Sequence, residues 1–353
     1  MASEGRRPIG GRCAWTGAEL ARKGDWVRRL DARHVAALAA ALDTVDRRRV
    51  PTFEISRADF PLPGLDALLD DVRAELEDGR GVVRISGLPV ERFSLDGLRR
   101  LFWGLATHLG TALNQSARGE MMGEVRDESY DAEKSYVVPQ PGLVASSRSR
   151  SRSTAPLRFH TDRCDVIALL CTQTSMAGGA TRIASIARIH DVMLERRPDL
   201  LEVLFQDIWR MRPLEEDGRT AGLAYKMPIL GMAAGKLTSQ YSRTYVEQAQ
   251  DLPDVPRLTA AQVEAMDMLA AVADETCLEA PFEPGDLQLM NNHAVYHGRT
   301  AFADDRGAGK SRHLLRLWLS VPNNRALPAG FEALWGRGAA AANSLRGGVP
   351  VEA

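Results

Sequence analysis

The 353 residues suffice for one large domain or two ordinary ones, and 44% hydrophobic with 26% charged residues is typical of a soluble globular protein. Acidic and basic residues nearly cancel, 46 against 45, so no overall charge draws the chain to nucleic acid or anionic lipid. No apolar run approaches the roughly 20 residues of a membrane span, and the N-terminal segment lacks the apolar stretch of a signal peptide.

The cysteines indicate a reducing compartment. They form no C-x-x-C pair and no framework of a short secreted chain, which predicts free thiols and therefore a cytoplasmic location. The four positions are Cys13, Cys164, Cys171 and Cys277.

The first hundred residues are mainly helical by pattern. Apolar residues recur at three- and four-residue intervals in LDARHVAALAAALDTV, GLDALLDDVRAELEDG and SLDGLRRLFWGLATHLG, and Ser94 is suited to cap the last of these. The β-branched run GVVRISGLPV between the second and third segments predicts a strand. We expect residues 1–100 to form a helical buttress packed on the core of the same domain.

From Gly119 onward short strand patterns predominate. Helical patterns interrupt them at SIARIHDVMLERRPDLLEVLF and TAAQVEAMDMLAAVADE. The predicted strands are GEVRDES, DVIALLCTQTS, TRIAS, DIWRMRP, LAYKMPIL, KLTSQYS, PGDLQLMNNHAVYH and RHLLRLWLSV. Many short strands with irregular helical insertions predict an α+β fold with a mainly β core, an antiparallel barrel or jelly roll wrapped by helices. We expect this core over residues 101–325 and a loose tail over residues 326–353.

One spacing suggests a metal site. RFHTDRCD places His160 and Asp162 two residues apart, and residues i and i+2 of a strand project from the same face. His297, in NNHAVYHGRTAF, follows a strand-like segment. Two imidazoles and one carboxylate form the facial triad that holds Fe(II) with open positions. His-x-Asp also occurs by chance, so these residues alone leave His160 open as a solvated histidine at a strand end.

Two arginines follow the last of these residues. SRHLLRLWLSV places Arg312 and Arg316 on a predicted strand, and their even separation puts both on the face of Leu314. A guanidinium there offers the planar, always-charged fork that a carboxylate accepts bidentately. Such an arginine could anchor a dicarboxylate.

The order and spacing of FHTD, AGGATRIAS, PGDLQLMNNHAVYHGRTAF and RHLLRLWL resemble the Fe(II)/2-oxoglutarate dioxygenases of the taurine dioxygenase and clavaminate synthase superfamily, over roughly residues 104–322. The resemblance implies a double-stranded β-helix, or jelly roll. The iron ligands that it implies are His160, Asp162 and His297. It also implies that Arg312 pairs with the distal carboxylate of 2-oxoglutarate and that Thr181 adds a hydroxyl. Arg316 would lie near the C1 carboxylate or the substrate's own anionic group.

The implied activity couples O2 and the decarboxylation of 2-oxoglutarate, giving succinate and CO2, to hydroxylation of an unactivated C–H bond. The small-molecule substrate would be an amino acid, a carboxylate or an intermediate of secondary metabolism. Asp162 retains the carboxylate that halide-transferring relatives lack, which favours hydroxylation. Amino-acid hydroxylases of the clavaminate branch commonly carry His-x-Glu, whereas this chain has His-x-Asp. The substrates of that branch are therefore not assigned to this protein. Substrate identity, the oxidised carbon, hydroxylation against desaturation or cyclisation, and the oligomeric state do not follow from these residues.

Neighbouring residues have more ordinary interpretations. His293 precedes His297 by four residues but lacks the H-x-R-T context, so we expect a supporting or structural role. Asp165 has an odd offset from His160, which predicts a cap or a salt-bridge partner. Gly178 and Gly179 predict a tight turn.

The serine-arginine alternation of residues 146–154 has three interpretations. It is an ordinary solvated loop at the mouth of the site, a lid that recruits an anionic substrate through Arg148, Arg150 or Arg152, or an RNA-binding segment. Its shortness and the near-neutral composition disfavour RNA binding.

A second candidate substrate contact is LNQSARGEMMGEVRDE, where Asn114 and Gln115 supply amide groups. Ordinary turn polarity explains these residues equally well. For the whole protein, the alternative to a dioxygenase is a jelly-roll metal protein that binds a small ligand without redox turnover.

Overall fold

The computed structural model describes residues 7–115, 119–129, 151–211 and 224–331. None of the helices within these ranges combines the length and the apolarity needed to span a lipid bilayer. The α-helices are α1 Gly17–Lys23, α2 Ala32–Arg47, α3 Asp66–Glu77, α4 Leu95–Ala106, α5 Ile186–Arg196, α6 Pro198–Leu204, α7 Arg243–Ala249 and α8 Ala260–Thr276. The strands up to residue 185 are β1 Val27–Arg29, β2 Val82–Ser86, β3 Thr111–Ala112, β4 Gly123–Val125, β5 Leu157–His160, β6 Val166–Gln173, β7 Ala177–Gly178 and β8 Thr181–Ser185. The later strands are β9 Ile208–Met211, β10 Ala224–Met227, β11 Leu230–Ala233, β12 Lys236–Ser239, β13 Leu278–Ala280, β14 Leu287–Asn291, β15 Val295–Arg299, β16 Phe302–Ala303 and β17 His313–Ser320.

Two facing sheets form the centre of the molecule. The major sheet has the order β1-β2-β14-β6-β17-β3, with β4 also paired to β17, and the minor sheet has the order β13-β8-β15-β5. All neighbours are antiparallel except β1 and β2, which run parallel. Non-consecutive neighbours of this kind are the mark of a jelly roll, so the predicted fold class is confirmed.

The three predicted N-terminal helices are confirmed, and capping sets where they begin. Asp31 accepts hydrogen bonds from the backbone N–H groups of Arg33 and His34 at the start of α2. Ser94 accepts from the N–H of Gly97 at the start of α4, as the pattern predicted. These contacts satisfy amide groups that have no partner within the helix.

Three predicted segments are each divided by local chemistry. The long helical pattern from residue 185 becomes α5 and α6, separated at Arg197, because Pro198 has no N–H to continue the helix. LAYKMPIL becomes β10 and β11 on either side of Pro228. PGDLQLMNNHAVYH turns after Asn291 and becomes β14 and β15, which belong to different sheets. Helices α1 and α7 and the short strands β1, β3, β7, β13 and β16 were not predicted.

The segment before residue 101 is more than a helical layer, because β1 and β2 complete one edge of the major sheet. Helices α2, α3 and α4 bury their apolar faces on the outer side of that sheet, against residues such as Leu170, Leu289 and Leu317. Helices α5, α6 and α8 cover the minor sheet. A third apolar cluster fills part of the space between the sheets, and the candidate site occupies the same layer.

Candidate metal centre and cosubstrate pocket

A pocket lies between the two sheets, with about 710 Å³ of empty space including its opening to solvent. Side chains from β5, β8 and β15 of the minor sheet form one wall, and side chains from β4, β6 and β17 of the major sheet form the other. The polar and charged members of the lining are Gln115, Ser151, His160, Asp162, Thr181, Tyr245, His297, Arg299, Arg312 and Arg316.

The predicted triad converges in this pocket. His160 ends β5 and lies opposite His297 of β15 in the sheet register, which brings the ring centroids to 4.3 Å. Asp162 places Oδ1 3.7 Å from Nε2 of His160 and Oδ2 3.8 Å from Nε2 of His297. One ligand atom from each residue lies within 4.8 Å of the others. The described residues contain no second cluster of this kind.

Asp162 reaches the site by a different route from the one expected. Strand β5 ends at His160, so Asp162 lies in the following loop and its direction does not come from strand alternation. The backbone N–H of Asp162 donates to Oδ1 of Asn292 at 3.0 Å, and Nε1 of Trp318 donates to Oδ2 at 2.9 Å. Two residues distant in sequence therefore aim the carboxylate at the histidines.

The histidines are prepared to act as ligands. Nδ1 of His160 lies 3.0 Å from the carbonyl oxygen of Arg158, so that nitrogen carries the proton and Nε2 presents its lone pair toward Asp162. Burial, followed by the neighbouring His160, lowers the pKa of His297 to about 3. The His297 ring is therefore neutral near pH 7, the form that binds metals.

The carboxylate is held ionised. Burial by itself raises the pKa of Asp162, but Arg316, the two histidines and the Trp318 N–H together bring it below its ordinary value. Two imidazoles and one carboxylate are a donor set for a divalent ion of borderline character such as Fe(II). The residues present fit that metal.

Arg312 lies in the same pocket with an unused donor. Its side chain is 5% exposed, and among the described residues Nη1 has no hydrogen-bond partner. Burial lowers its pKa to about 10, so the guanidinium stays charged near pH 7. An uncompensated buried cation of this kind fits an anionic ligand.

The surroundings of Arg312 are shaped for it. Buried Thr181 also lines the pocket. Gly179 has φ +77°, and a Cβ there would lie 3.0 Å from Cδ and Nε of Arg312. Gly178 has φ +72°, and a Cβ there would lie 2.2 Å from the carbonyl oxygen of Ala301. Gly178 ends strand β7, which pairs with β16, so the two glycines follow a strand edge with left-handed φ values. The missing side chain at Gly179 makes room for the arginine.

Arg316 lies two residues before Trp318 on the same face of β17, with the guanidinium 5.2 Å from the Trp318 ring. Its Nη1 is 4.0 Å from Oδ2 of Asp162. Nε donates to Oε1 of Gln115 at 2.7 Å. Gln115, a predicted substrate contact, is 2% exposed and bonded to an arginine, whereas Asn114 is exposed and outside the pocket lining.

The predicted arginine lid is only partly within the described residues. Arg148 and Arg150 lie outside them, whereas Arg152 is described and 7% exposed. Its guanidinium pairs with Glu128 at 2.9 Å and with Glu120 at 2.9 Å. In this arrangement Arg152 joins two neighbouring segments of the chain.

The residues interpreted as structural are buried behind the site. Asp165 accepts from Oγ of Ser320, from the N–H of Val321 and from Nδ2 of Asn324. Nε2 of His293 lies 3.0 Å from Oδ1 of Asp165. Asp165 is therefore a buried hydrogen-bond acceptor beside His293, turned away from the triad, and its role as a salt-bridge partner stays a prediction.

Three residues with a role in the site were missed from the sequence. Trp318 is two residues beyond Arg316 and Arg299 is two residues beyond His297, so strand alternation could have placed both in the pocket. The Arg299 guanidinium donates to the carbonyl oxygens of Ser151, Ser153 and Ala155. Asn292 could not have been found in this way, because it lies in the turn between two strands.

Comparisons with known proteins identify the family and several relatives. The family model described as "Taurine catabolism dioxygenase TauD, TfdA family" matches residues 46–318. FR-33289 synthase of Streptomyces rubellomurinus is 28% identical over 95% of this chain and 97% of its own length. Taurine hydroxylase-like protein SAT17 of Stachybotrys chartarum is 30% identical over 86% of this chain and 77% of its own length.

Solved structures show the same fold. Asparagine oxygenase, in a complex with Fe(II), 3-hydroxyasparagine and succinate, superimposes with a TM-score of 0.64 at 18% identity, covering 83% of this chain and 93% of its own. The non-haem iron oxygenase OrfP, with Fe and α-ketoglutaric acid, gives 0.61 at 16% identity, covering 83% of this chain and 93% of its own.

Proposed function

Since the chain belongs to the TauD and TfdA family of dioxygenases, we propose that it hydroxylates a small molecule with iron(II), 2-oxoglutarate and oxygen, using His160, Asp162 and His297 as iron ligands. The observation that carries this assignment is the convergence of the three ligand atoms within 4.8 Å beside Arg312. When bound, iron(II) would activate oxygen, and 2-oxoglutarate would supply two electrons through its decarboxylation to succinate and CO2.

The protein's own residues bind and orient the reactants. Arg312 would receive the distal carboxylate of 2-oxoglutarate, with Thr181 beside it, because Nη1 is a buried donor without a partner among the described residues. Asn292 and Trp318 keep the Asp162 carboxylate directed at the histidines. Ile167, Leu169 and Leu314 contribute apolar surface to the pocket wall, which would favour the exclusion of water around a bound substrate.

The substrate class follows from charge. Among the described pocket-lining residues three are arginines and one is a carboxylate, Asp162, which the metal would use. If Arg312 binds 2-oxoglutarate, Arg316 is the cation near the metal ligands, with Nη1 4.0 Å from Oδ2 of Asp162. We therefore propose a substrate with an anionic group close to the oxidised C–H bond, such as an amino acid or another small carboxylate. We also propose a cytoplasmic location, because all four cysteines are free.

Succinate release tests the assignment. The protein is incubated with Fe(II), ascorbate and 2-oxoglutarate, alone and with a panel of small anionic molecules, and succinate is quantified. Arg312→Ala is expected to lower kcat/KM for 2-oxoglutarate at least about tenfold, since a charge-assisted hydrogen bond contributes roughly 1.5–3 kcal/mol.

Arg84→Ala is the matched control. Arg84 is also a buried arginine, and it lies on β2, outside the pocket lining. It donates to Gln288 and to backbone carbonyls. Its replacement should cost stability without changing the KM for 2-oxoglutarate of the folded fraction. An Arg312→Ala variant with the kinetics of the wild type, or a wild type that releases no succinate, would contradict the proposal.

A further inference from the structure

The side-chain amide of Gln115 forms hydrogen bonds to Arg316 and to a nearby backbone carbonyl. Oε1 accepts the Nε–H of Arg316 at 2.7 Å. Nε2 donates to the carbonyl oxygen of Arg316 at 2.9 Å and to that of Met121 at 3.1 Å. Both N–H donors and the carbonyl oxygen of the side chain are therefore engaged. Gln115 is therefore hydrogen-bonded to both the backbone and the guanidinium of Arg316.

These hydrogen bonds fix the plane of the Arg316 guanidinium. A guanidinium is rigid and planar, so a hydrogen bond at Nε sets the direction of the other two nitrogens. Here Nη1 points toward Asp162, 4.0 Å from Oδ2, and the group lies against the ring of Trp318. An arginine side chain otherwise samples many rotamers, and this freedom would be lost each time a ligand is bound.

Gly123 leaves the space that the amide needs. It lies opposite Arg316 in the pairing of β4 with β17. A Cβ at this position would come within 2.9 Å of Oε1 of Gln115 and 3.5 Å of Nε of Arg316. Its φ is not in the left-handed region, so alanine fits the backbone and meets only the side chains. At Gly123, β4 therefore presents no side chain toward the contact between Gln115 and Arg316.

We propose that Gln115 is a positioning residue that holds the Arg316 guanidinium toward Asp162 and the pocket, ready for the anionic group of the substrate. The residue acts through the arginine, because its own polar atoms are occupied. The consequence for substrate affinity rests on the proposed function, whereas the placement of the arginine does not. The two parts are therefore tested separately.

The placement is tested by hydrogen exchange of the Arg316 Nε–H, followed by NMR in the full chain with nitrogen-15-labelled arginine and assigned by its absence in Arg316→Lys. In Gln115→Leu this hydrogen is expected to exchange at least about tenfold faster, because its acceptor is gone. Gln115→Glu keeps an oxygen acceptor and should retain most of the protection. Equal protection in Gln115→Leu and the wild type would overturn the proposal.

The affinity is tested with the compound that stimulates succinate release most strongly in the wild type. Gln115→Leu is expected to raise its KM about tenfold and to leave kcat within about threefold, since a lost orientation weakens binding before chemistry. Gly123→Ala should act in the same direction with the amide chemistry intact. Faster exchange with an unchanged KM would overturn the binding role of Arg316, and a wild type without succinate release would contradict the proposed function while the exchange result still decides the placement.

Gln288→Leu is the matched control for both readouts. Gln288 lies on β14 of the major sheet. Like Gln115 it is buried, and its Oε1 accepts from an arginine, here Arg84 at 2.9 Å, but it lies outside the pocket lining. It should lower the unfolding temperature as Gln115→Leu does, with the exchange of Arg316 and the KM unchanged. A shift of either readout in this variant would assign the effect to general destabilisation.

Discussion

At the scale of single residues, Trp318 has the most direct influence on a candidate metal ligand. Its indole N–H donates to Oδ2 of Asp162 at 2.9 Å, and its ring supports Arg316. Replacing a partner that orients a ligand in this way typically lowers metal affinity about 10- to 100-fold. Asp162 lies in the loop after β5, so strand alternation does not set the direction of its side chain.

Trp318→Phe keeps an aromatic side chain and removes the indole N–H donor together with the five-membered ring. We expect the dissociation constant for Fe(II), measured by anaerobic calorimetric titration, to rise about 10- to 100-fold. Trp103→Phe is the control, because Trp103 donates to the carbonyl oxygen of Ile55 at 3.0 Å, far along the chain from the triad. Equal affinities in Trp318→Phe and Trp103→Phe would show that the indole does not restrain Asp162.

At the scale of elements, Glu124 joins three of them. It lies on β4, its Oε2 is 3.3 Å from Nε2 of His313 on β17, and it pairs with Arg99 of α4. His313, and then Arg99, lower the pKa of Glu124 to about 2 against the opposing effect of burial. The ionised carboxylate therefore stabilises the packing of α4 and β17 on β4.

The pH dependence of stability follows from this shift. A carboxyl group whose pKa falls from about 4.5 in the unfolded chain to about 2 in the folded one stabilises the protein fully above pH 4.5. That contribution is lost as the pH falls from about 4.5 to 2. Urea unfolding of Glu124→Gln should lose less free energy between pH 5 and pH 3 than the wild type. An identical pH slope in the two proteins would show that Glu124 is not stabilised in its ionised form.

At the scale of the whole molecule, Glu77 connects distant parts of the chain. The carboxylate ends α3 and accepts from Lys236 at 2.7 Å, from Asn291 of β14 at 2.9 Å and from Arg325 at 3.2 Å. Helix α3, the major sheet, β12 and the segment after β17 therefore meet at one buried side chain. This contact, with the strands β1 and β2, makes the N-terminal hundred residues part of the same structure.

Glu77→Ala should lower the free energy of unfolding by about 3 kcal/mol, because it leaves the buried Arg325 guanidinium without its carboxylate. The control is Glu275→Ala, which removes an exposed pair with Arg196 and should cost at most about 1 kcal/mol. Urea unfolding monitored by circular dichroism gives both values. Equal losses in the two variants would indicate that the Glu77 contacts contribute no more than a surface pair.

The sequence by itself determined the longer helices and the family, and it identified the candidate triad and Arg312. Helical periodicity and a cap such as Ser94 depend on neighbours within one turn, so they can be recognised in any context. The triad residues and Arg312 were recognised from their spacing and order, and the predicted family, fold class and cofactors are confirmed. The roles of single site residues stay predictions.

Only the tertiary structure decided which strands pair and what each polar group contacts. β14 and β15 are continuous in the sequence pattern, yet they enter different sheets, and this division places His297 opposite His160. Gln115 and Arg152 were equally polar candidates, but one grips Arg316 and the other pairs with two carboxylates. Such partners are separated by up to 201 residues along the chain, and local sequence patterns carry no information about contacts that only sheet packing creates.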